Sequence, residues 1–240
     1  FHPPVAHRGL WTKDGAPENS LGAFQAACAA GYGVELDVHL SSDGEAMVFH
    51  DETLKRMTGE PGRIGERTAA ELGELRLAGT DETIPTLLEA LAVIGKRAMV
   101  HVELKTRFGE VGPLEQRVHE ILADHAGPTC VIGFNPYSHA WFADRYPGVL
   151  RGLDSYSYSG AINPPKHLSE EQRQAFARLE HVEIARPHFL ALHTEMLPDA
   201  RAAELRAQGM PLVCWTVRQP EEWERLKDCC DNLIFEGFLA

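Results

Sequence analysis

The sequence has no apolar run near the roughly 18 residues that a membrane-spanning helix needs, so stable membrane insertion is not expected. Its start, FHPPVAHRGL, has no basic stretch followed by a long apolar one and so lacks the build of a secretory signal. It also lacks an initiating Met, as it would after removal of a leader or tag. Cysteines are few and odd in number: Cys28, Cys130, Cys214, Cys229 and Cys230. None falls in a CxxC or a zinc-type cluster. A reducing compartment is the simpler reading, and a cytoplasmic protein is expected. Positive charge is scarce. With 23 Lys and Arg against 35 Asp and Glu the net charge is −12, which argues against a nucleic-acid or anionic-membrane binder. A small phosphate-bearing partner stays open, provided that its site is locally positive. Nothing in the chain fixes an oligomeric state.

What is present is rhythm. Short apolar runs at 5–8, 33–40, 46–50, 98–105, 129–134, 149–153, 182–185, 212–217 and 232–235 read as strands. Most are rich in Val, Ile and Leu, as parallel strands covered by helices tend to be. Between them lie helix-period segments. Ser20 is placed to cap a helix that carries Leu21, Phe24 and Cys28 on one face. Further helices are expected at 87–94, 114–126, 136–146, 170–179, 195–208 and 220–228. About eight strand–helix units point to an α/β fold closed into a (β/α)8 barrel. No repeat, low-complexity tract or linker divides the 240 residues, so one barrel domain is expected. The rhythm breaks once. Residues 46–85 include the polar, turn-rich KRMTGEPGRIGERTAAELGEL and read as an inserted segment over one mouth of the barrel.

The chemistry lies in the strands. Side chains alternate along a strand. In VELDVHL, Glu35, Asp37 and His39 share one face, and Leu36 and Val38 share the other. In MVHVELK, His101, Glu103 and Lys105 lie opposite Val100, Val102 and Leu104. The apolar faces suit helices, so the charged faces would point into the barrel, where apolar side chains are the norm. Buried carboxylates are costly unless paired. A hard cation relieves them: Glu35, Asp37 and Glu103 offer oxygen alone, which suits one divalent ion, Mg²⁺ or Ca²⁺ with Mn²⁺ also allowed, rather than zinc. His7 and His50 each end a strand-like run, and histidine exchanges protons near neutral pH. Arg8 and Lys105 would offset the carboxylates and hold an anion.

AHRG, PENS, ELDV, VFHD, IPTLLEAL and VELK occur in the order seen in the glycerophosphodiester phosphodiesterase family, which the chain resembles over nearly its whole length. GFNP and LVCWTV extend the likeness. The resemblance implies a TIM-type barrel with a segment inserted after its second strand. It implies metal ligands at Glu35, Asp37 and Glu103 and catalytic histidines at His7 and His50. It also implies Arg8 and Lys105 at the phosphate, with Asn19, Phe134 and Trp215 near the substrate. The expected reaction is cleavage of a small glycerophosphodiester to sn-glycerol 3-phosphate and an alcohol. Two departures stand out. Ser20 replaces a common Thr, and Glu236 takes the acidic position of the last strand, in IFEGF, changing one wall of the pocket.

Two other readings compete. The pattern is also similar to that of phospholipase D toxins, which form cyclic phosphates from choline lipids. A non-enzymatic phosphoester-binding barrel would leave two histidines without a task. Tyr156 and Tyr158, in a loop after the fifth barrel strand, are open to two readings, facing the alcohol group or lying on a solvated loop.

Overall fold

A computed structural model describes residues 3–159 and 168–240. The strands are β1 (Val5–Ala6), β2 (Gly33–Leu40), β3 (Ala46–Val48), β4 (Val100–Leu104), β5 (Thr129–Gly133), β6 (Arg151–Ser155), β7 (Phe189–His193), β8 (Leu212–Val217) and β9 (Asn232–Phe235). All but β3 run parallel, in the ring order β1-β2-β4-β5-β6-β7-β8-β9. Pairing of β1 with both β2 and β9 closes the barrel. β3 is a short antiparallel addition to the upper end of β2, with Val38 opposite Val48.

Alternation sorts the core into two layers. Leu36, Val38, Val100, Val102 and Leu104 face outward and pack beneath the helices. Val5, Cys130, Ile132, Phe189, Ala191, Val213 and Ile234 fill the barrel itself. Packing there is tight: a Cβ on Gly152 would lie 2.2 Å from the Phe189 ring, so glycine is required. The helix Leu21–Ala29 starts where Ser20 accepts from the Ala23 amide at 3.2 Å. Among the described residues no helix is long and apolar enough to cross a membrane, and all five cysteines are free.

Three expectations are corrected. Residues 182–185 form a short helix, not a strand. Val182 and Ala185 are buried while Ile184 is exposed, and this i, i+3 pattern outweighs the strand preference of Val and Ile. The seventh strand along the chain is instead Phe189–His193, beyond Pro187. The sixth lies two residues later than expected, at Arg151–Ser155. The helix expected at 195–208 begins at Ala200, because Pro198 interrupts it and Asp199 supplies the cap.

The stretch 46–85 also holds more structure than its composition indicates. Short helices at Lys55–Thr58 and Ala69–Gly73 fold over a second buried cluster of Met47, Phe49, Leu54, Ile64, Leu72, Leu77 and Ile84.

Candidate active site

The polar side chains collect at the C-terminal ends of the strands, around a cavity of about 500 Å³. His7, Arg8, Glu35, His50, Glu103, Lys105, Phe134 and Trp215 all border it. Asp37 and Asn19 lie just behind the wall, fully buried.

Parallel registry sets the acidic cluster. Asp37 on β2 stands opposite Glu103 on β4, and Glu35 lies two residues deeper on the same face. Ligand atoms of Glu35, Asp37 and Glu103 lie within 4.8 Å of one another. Glu35 Oε1 is buried with no hydrogen-bond partner. Burial, with Asp37 and Glu103 alongside, lifts the Glu35 carboxyl well above the usual carboxylate range. Burial would do the same to Asp37, but Lys105, His50 and Arg8 outweigh it and hold that carboxyl well below the range. An all-oxygen donor set with an orphaned buried carboxylate oxygen fits a hard divalent ion.

Cations hold the cluster from both sides. Lys105 Nζ bridges Asp37 Oδ1 at 2.7 Å and Glu103 Oε1 at 2.6 Å. Arg8 follows β1 in a left-handed conformation, φ 57°. This turns its amide onto Glu35 Oε2 at 2.9 Å, while its guanidinium reaches Glu18 at 2.9 Å and Asp37 at 3.4 Å. Asn19 is also left-handed, φ 56°, and donates from Nδ2 to Asp37 Oδ2 at 2.8 Å. Asn19 therefore positions Asp37, one carboxylate of the acidic cluster.

Each expected catalytic histidine has a carboxylate behind it. His7 Nδ1 is 2.7 Å from Glu236 Oε2, and His50 Nδ1 is 2.7 Å from Asp51 Oδ1. An ionised carboxylate only accepts, so each imidazole carries a proton on Nδ1 and, when neutral, keeps the Nε2 lone pair. Burial lowers the His7 pKa against the opposing pull of Glu236. Burial would raise Glu236, but the His7 hydrogen bond brings it down to about 2. The two shifts agree on a neutral imidazole donating to an ionised Glu236. Asp51 is shared: Arg56 Nε donates to its Oδ2 at 2.6 Å, and Arg56 Nη2 reaches Glu18 Oε1 at 2.6 Å. The chain Glu18–Arg56–Asp51–His50 thus ties the inserted segment to the barrel mouth.

Phe134 and Trp215 form one apolar wall, edge to face at 5.5 Å, and Trp215 Nε1 is fixed by the Ala191 carbonyl at 2.8 Å. Tyr156 and Tyr158 do not join them at the cavity. They are buried and stacked on each other at 4.1 Å, so the reading that they face the alcohol is corrected. Residues 160–167 of that loop lie outside the described residues. His101 sits low in the barrel against Phe189, and burial lowers its pKa to about 4. His39 Nε2 donates to the His50 carbonyl at 3.0 Å and braces that turn.

Sequence reasoning gave no role to Asp51, Arg56, Glu18 or Asp154. Asp154, next to last in β6, borders the cavity with both carboxylate oxygens unpartnered among the described residues. Setting the sixth strand two residues early hid the alternation that points it inward.

Comparison with known proteins agrees with this geometry. The family model described as the glycerophosphoryl diester phosphodiesterase family matches residues 7–234. A glycerophosphodiester phosphodiesterase of Caldanaerobacter subterraneus subsp. tengcongensis is 30% identical over 96% of this chain and 92% of its own. Among solved structures, an Oleispira antarctica phosphodiesterase in complex with the product sn-glycerol-3-phosphate is similar with a TM-score of 0.82. It is 27% identical, over 99% of this chain and 94% of its own. A glycerophosphodiester phosphodiesterase from Thermotoga maritima is similar at a TM-score of 0.74 and 29% identity, over 98% of this chain and 95% of its own.

Proposed function

The chain belongs to the glycerophosphoryl diester phosphodiesterase family, and from that premise we propose that it hydrolyses glycerophosphodiesters to sn-glycerol 3-phosphate and an alcohol. One observation carries the reading most strongly. Two imidazoles, each backed on Nδ1 by a carboxylate, border the same cavity as Glu35, Glu103, Arg8 and Lys105.

In this reading Arg8 and Lys105 bind the phosphate. Arg8 offers a planar fork and Lys105 a compact charge. Glu35, Asp37 and Glu103 would hold one divalent cation, Mg²⁺ or Ca²⁺, which supplies Lewis-acid neutralisation of phosphate charge. One of His7 and His50 accepts the nucleophile's proton at Nε2, and the other, protonated, delivers a proton to the departing alkoxide oxygen. Asp51 and Glu236 keep both rings in the required tautomer and stabilise the imidazolium when it forms. Trp215 and Phe134 exclude water beside the reacting phosphate. Segment 46–85 supports the mouth through Asp51 and Arg56.

A panel of glycerophosphodiesters with choline, ethanolamine and inositol groups, followed by ³¹P NMR with and without added Mg²⁺ or Ca²⁺, tests the proposal. Release of sn-glycerol 3-phosphate is expected. A cyclic phosphate that persists would replace hydrolysis by a lyase reaction, and no turnover on any diester would reject the proposal.

A further inference from the structure

Asp154 is a buried carboxylate bordering the cavity that the reaction above leaves without work. It is 3% exposed, and neither Oδ1 nor Oδ2 has a hydrogen-bond partner among the described residues. Among the described residues no cation pairs with it directly, and Lys105 acts on it only through its field. The Lys105 ammonium is directed at Asp37 and Glu103, and the nearby Arg218 pairs with Glu236. Nor does it belong to the acidic cluster, which consists of Glu35, Asp37 and Glu103 alone. An unpartnered buried carboxylate costs stability, and in a native fold such a group calls for a reason.

Its position supplies one. Gly152 and Asp154 share the inward face of β6, and Gly152 is filled over by Phe189. Only Asp154 therefore reaches the cavity from this strand. In the ring order β6 lies across the barrel from β1 and β2, which carry His7, Glu35 and Asp37. Ile132, Phe134 and Trp215 flank it with apolar surface. Two free acceptors on an apolar wall, across the ring from Arg8, fit a short neutral group with two adjacent donors.

We propose that Asp154 accepts hydrogen bonds from the two free hydroxyls of the substrate's glycerol arm and so makes the site selective for glycerol diesters. This rests on the glycerophosphodiester reading above. The glycerol arm is shared by every such substrate and suits a fixed, buried acceptor. The alcohol arm varies and leaves along the exposed rim, where the Glu195 and Arg218 side chains are 52% and 58% accessible. A site built around a hydroxyl rejects the analogue that lacks it, because its own polar group is left unpaired.

The test compares glycerophosphoethanolamine with propyl phosphoethanolamine, which lacks the glycerol hydroxyls, in the wild type, Asp154→Asn and Asp154→Ala, all supplied with Mn²⁺. The wild type should prefer the glycerol diester by about 10⁴-fold in kcat/KM. Asp154→Ala should lose about 10²-fold or more on the glycerol diester alone and so narrow the preference, with Asp154→Asn between the two. Calorimetric titration with sn-glycerol 3-phosphate, which needs no turnover, should show weaker binding in Asp154→Ala. Inorganic phosphate and Mn²⁺ affinities should change far less than sn-glycerol 3-phosphate affinity, since Asp154 acts on Glu103, Asp37 and Lys105 only through its field and hydrogen-bonds none of them. Thermal midpoints of both variants should match or exceed the wild type, because an orphaned carboxylate is removed. Unchanged preference in both variants, or lowered midpoints in both, would overturn the assignment. So would a change confined to ethanolamine against a neutral alcohol, which would give Asp154 to the other arm. Failure of the wild type to cleave either diester or to bind sn-glycerol 3-phosphate would instead reject the substrate reading on which it rests.

Discussion

His7 Nδ1 and Glu236 Oε2 meet at 2.7 Å across the seam of the barrel, though 229 positions separate them in the chain. The contact exists because β1 pairs with β9, so the residues that leave those strands emerge side by side. Glu236 thereby positions the His7 ring. His7→Ala should lower kcat by about 10²–10⁴, the range for a lost general acid or base. Glu236→Ala should cost less than His7→Ala. Without Glu236, only Asp37 opposes burial and Arg8 at His7, so its pKa falls further and the pH profile of kcat/KM should shift to lower pH on the limb that His7 controls. An unmoved profile, with ¹⁵N shifts reporting the same tautomer, would remove Glu236 from that role.

Arg56 lies outside the cavity, with its side chain 46% exposed, yet it grips both Asp51 and Glu18. Arg56→Ala should reduce kcat by about tenfold through a loosened His50, a small part of what a general acid or base contributes. Mg²⁺ affinity should be unaffected. A steady-state assay beside a calorimetric Mg²⁺ titration distinguishes this from general damage to the site.

Chelation should abolish turnover, and Glu35→Gln, Asp37→Asn and Glu103→Gln should each weaken divalent-ion binding. Added ion at 100 times its Kd should stabilise the fold by about 2.7 kcal/mol. Equal melting curves with and without Mg²⁺, Ca²⁺ and Mn²⁺ would contradict a metal centre here.

Leu72 is fully buried in the cluster of the inserted segment. Leu72→Ala should cost about 2–5 kcal/mol locally. Replacing residues 58–80 with a Gly/Ser linker should keep a folded, metal-binding barrel and shift selectivity among choline, ethanolamine and inositol diesters. The exposed remainder of the cluster, Met47, Phe49, Leu54, Met57 and Ile84, should then raise dye binding. Unchanged selectivity would leave the segment a purely structural part.

Burial lowers His39, His101 and His139 to about 4 and His181 to about 3, so each stays neutral in the fold where the unfolded chain is protonated. Their stabilisation is complete above about pH 6.5 and is lost as pH falls toward 4, by about 1.4 kcal/mol per unit for each group. Glu35 and Asp154 are raised by burial and act in the opposite sense above the ordinary carboxylate range. His7, His125, His188 and His193 are lowered by burial as well, so the histidines outnumber the two raised carboxyls and stability rises with pH up to about 6.5. Urea melts between about pH 5 and 6.5 check the sign, and a flat or falling profile there would contradict it.

Alternation and punctuation alone determined the barrel class, the Glu35–Asp37 and Glu103–Lys105 faces and the two strand-end histidines. Those features are local, because the two-residue period of a strand fixes which side chains share a face. Whether that face points inward was legible too, since Leu36, Val38, Val102 and Leu104 could serve only the outer core. Closure of the ring decided the rest. Glu236 meets His7 only because the last strand returns to the first, and Asp154 faces them only because β6 lies across the ring. Residues 182–185 turned helical because burial of Val182 and Ala185 outweighed a weak local preference. Local periods are written in neighbouring residues, whereas contacts between distant ones depend on the sum of all strand registers.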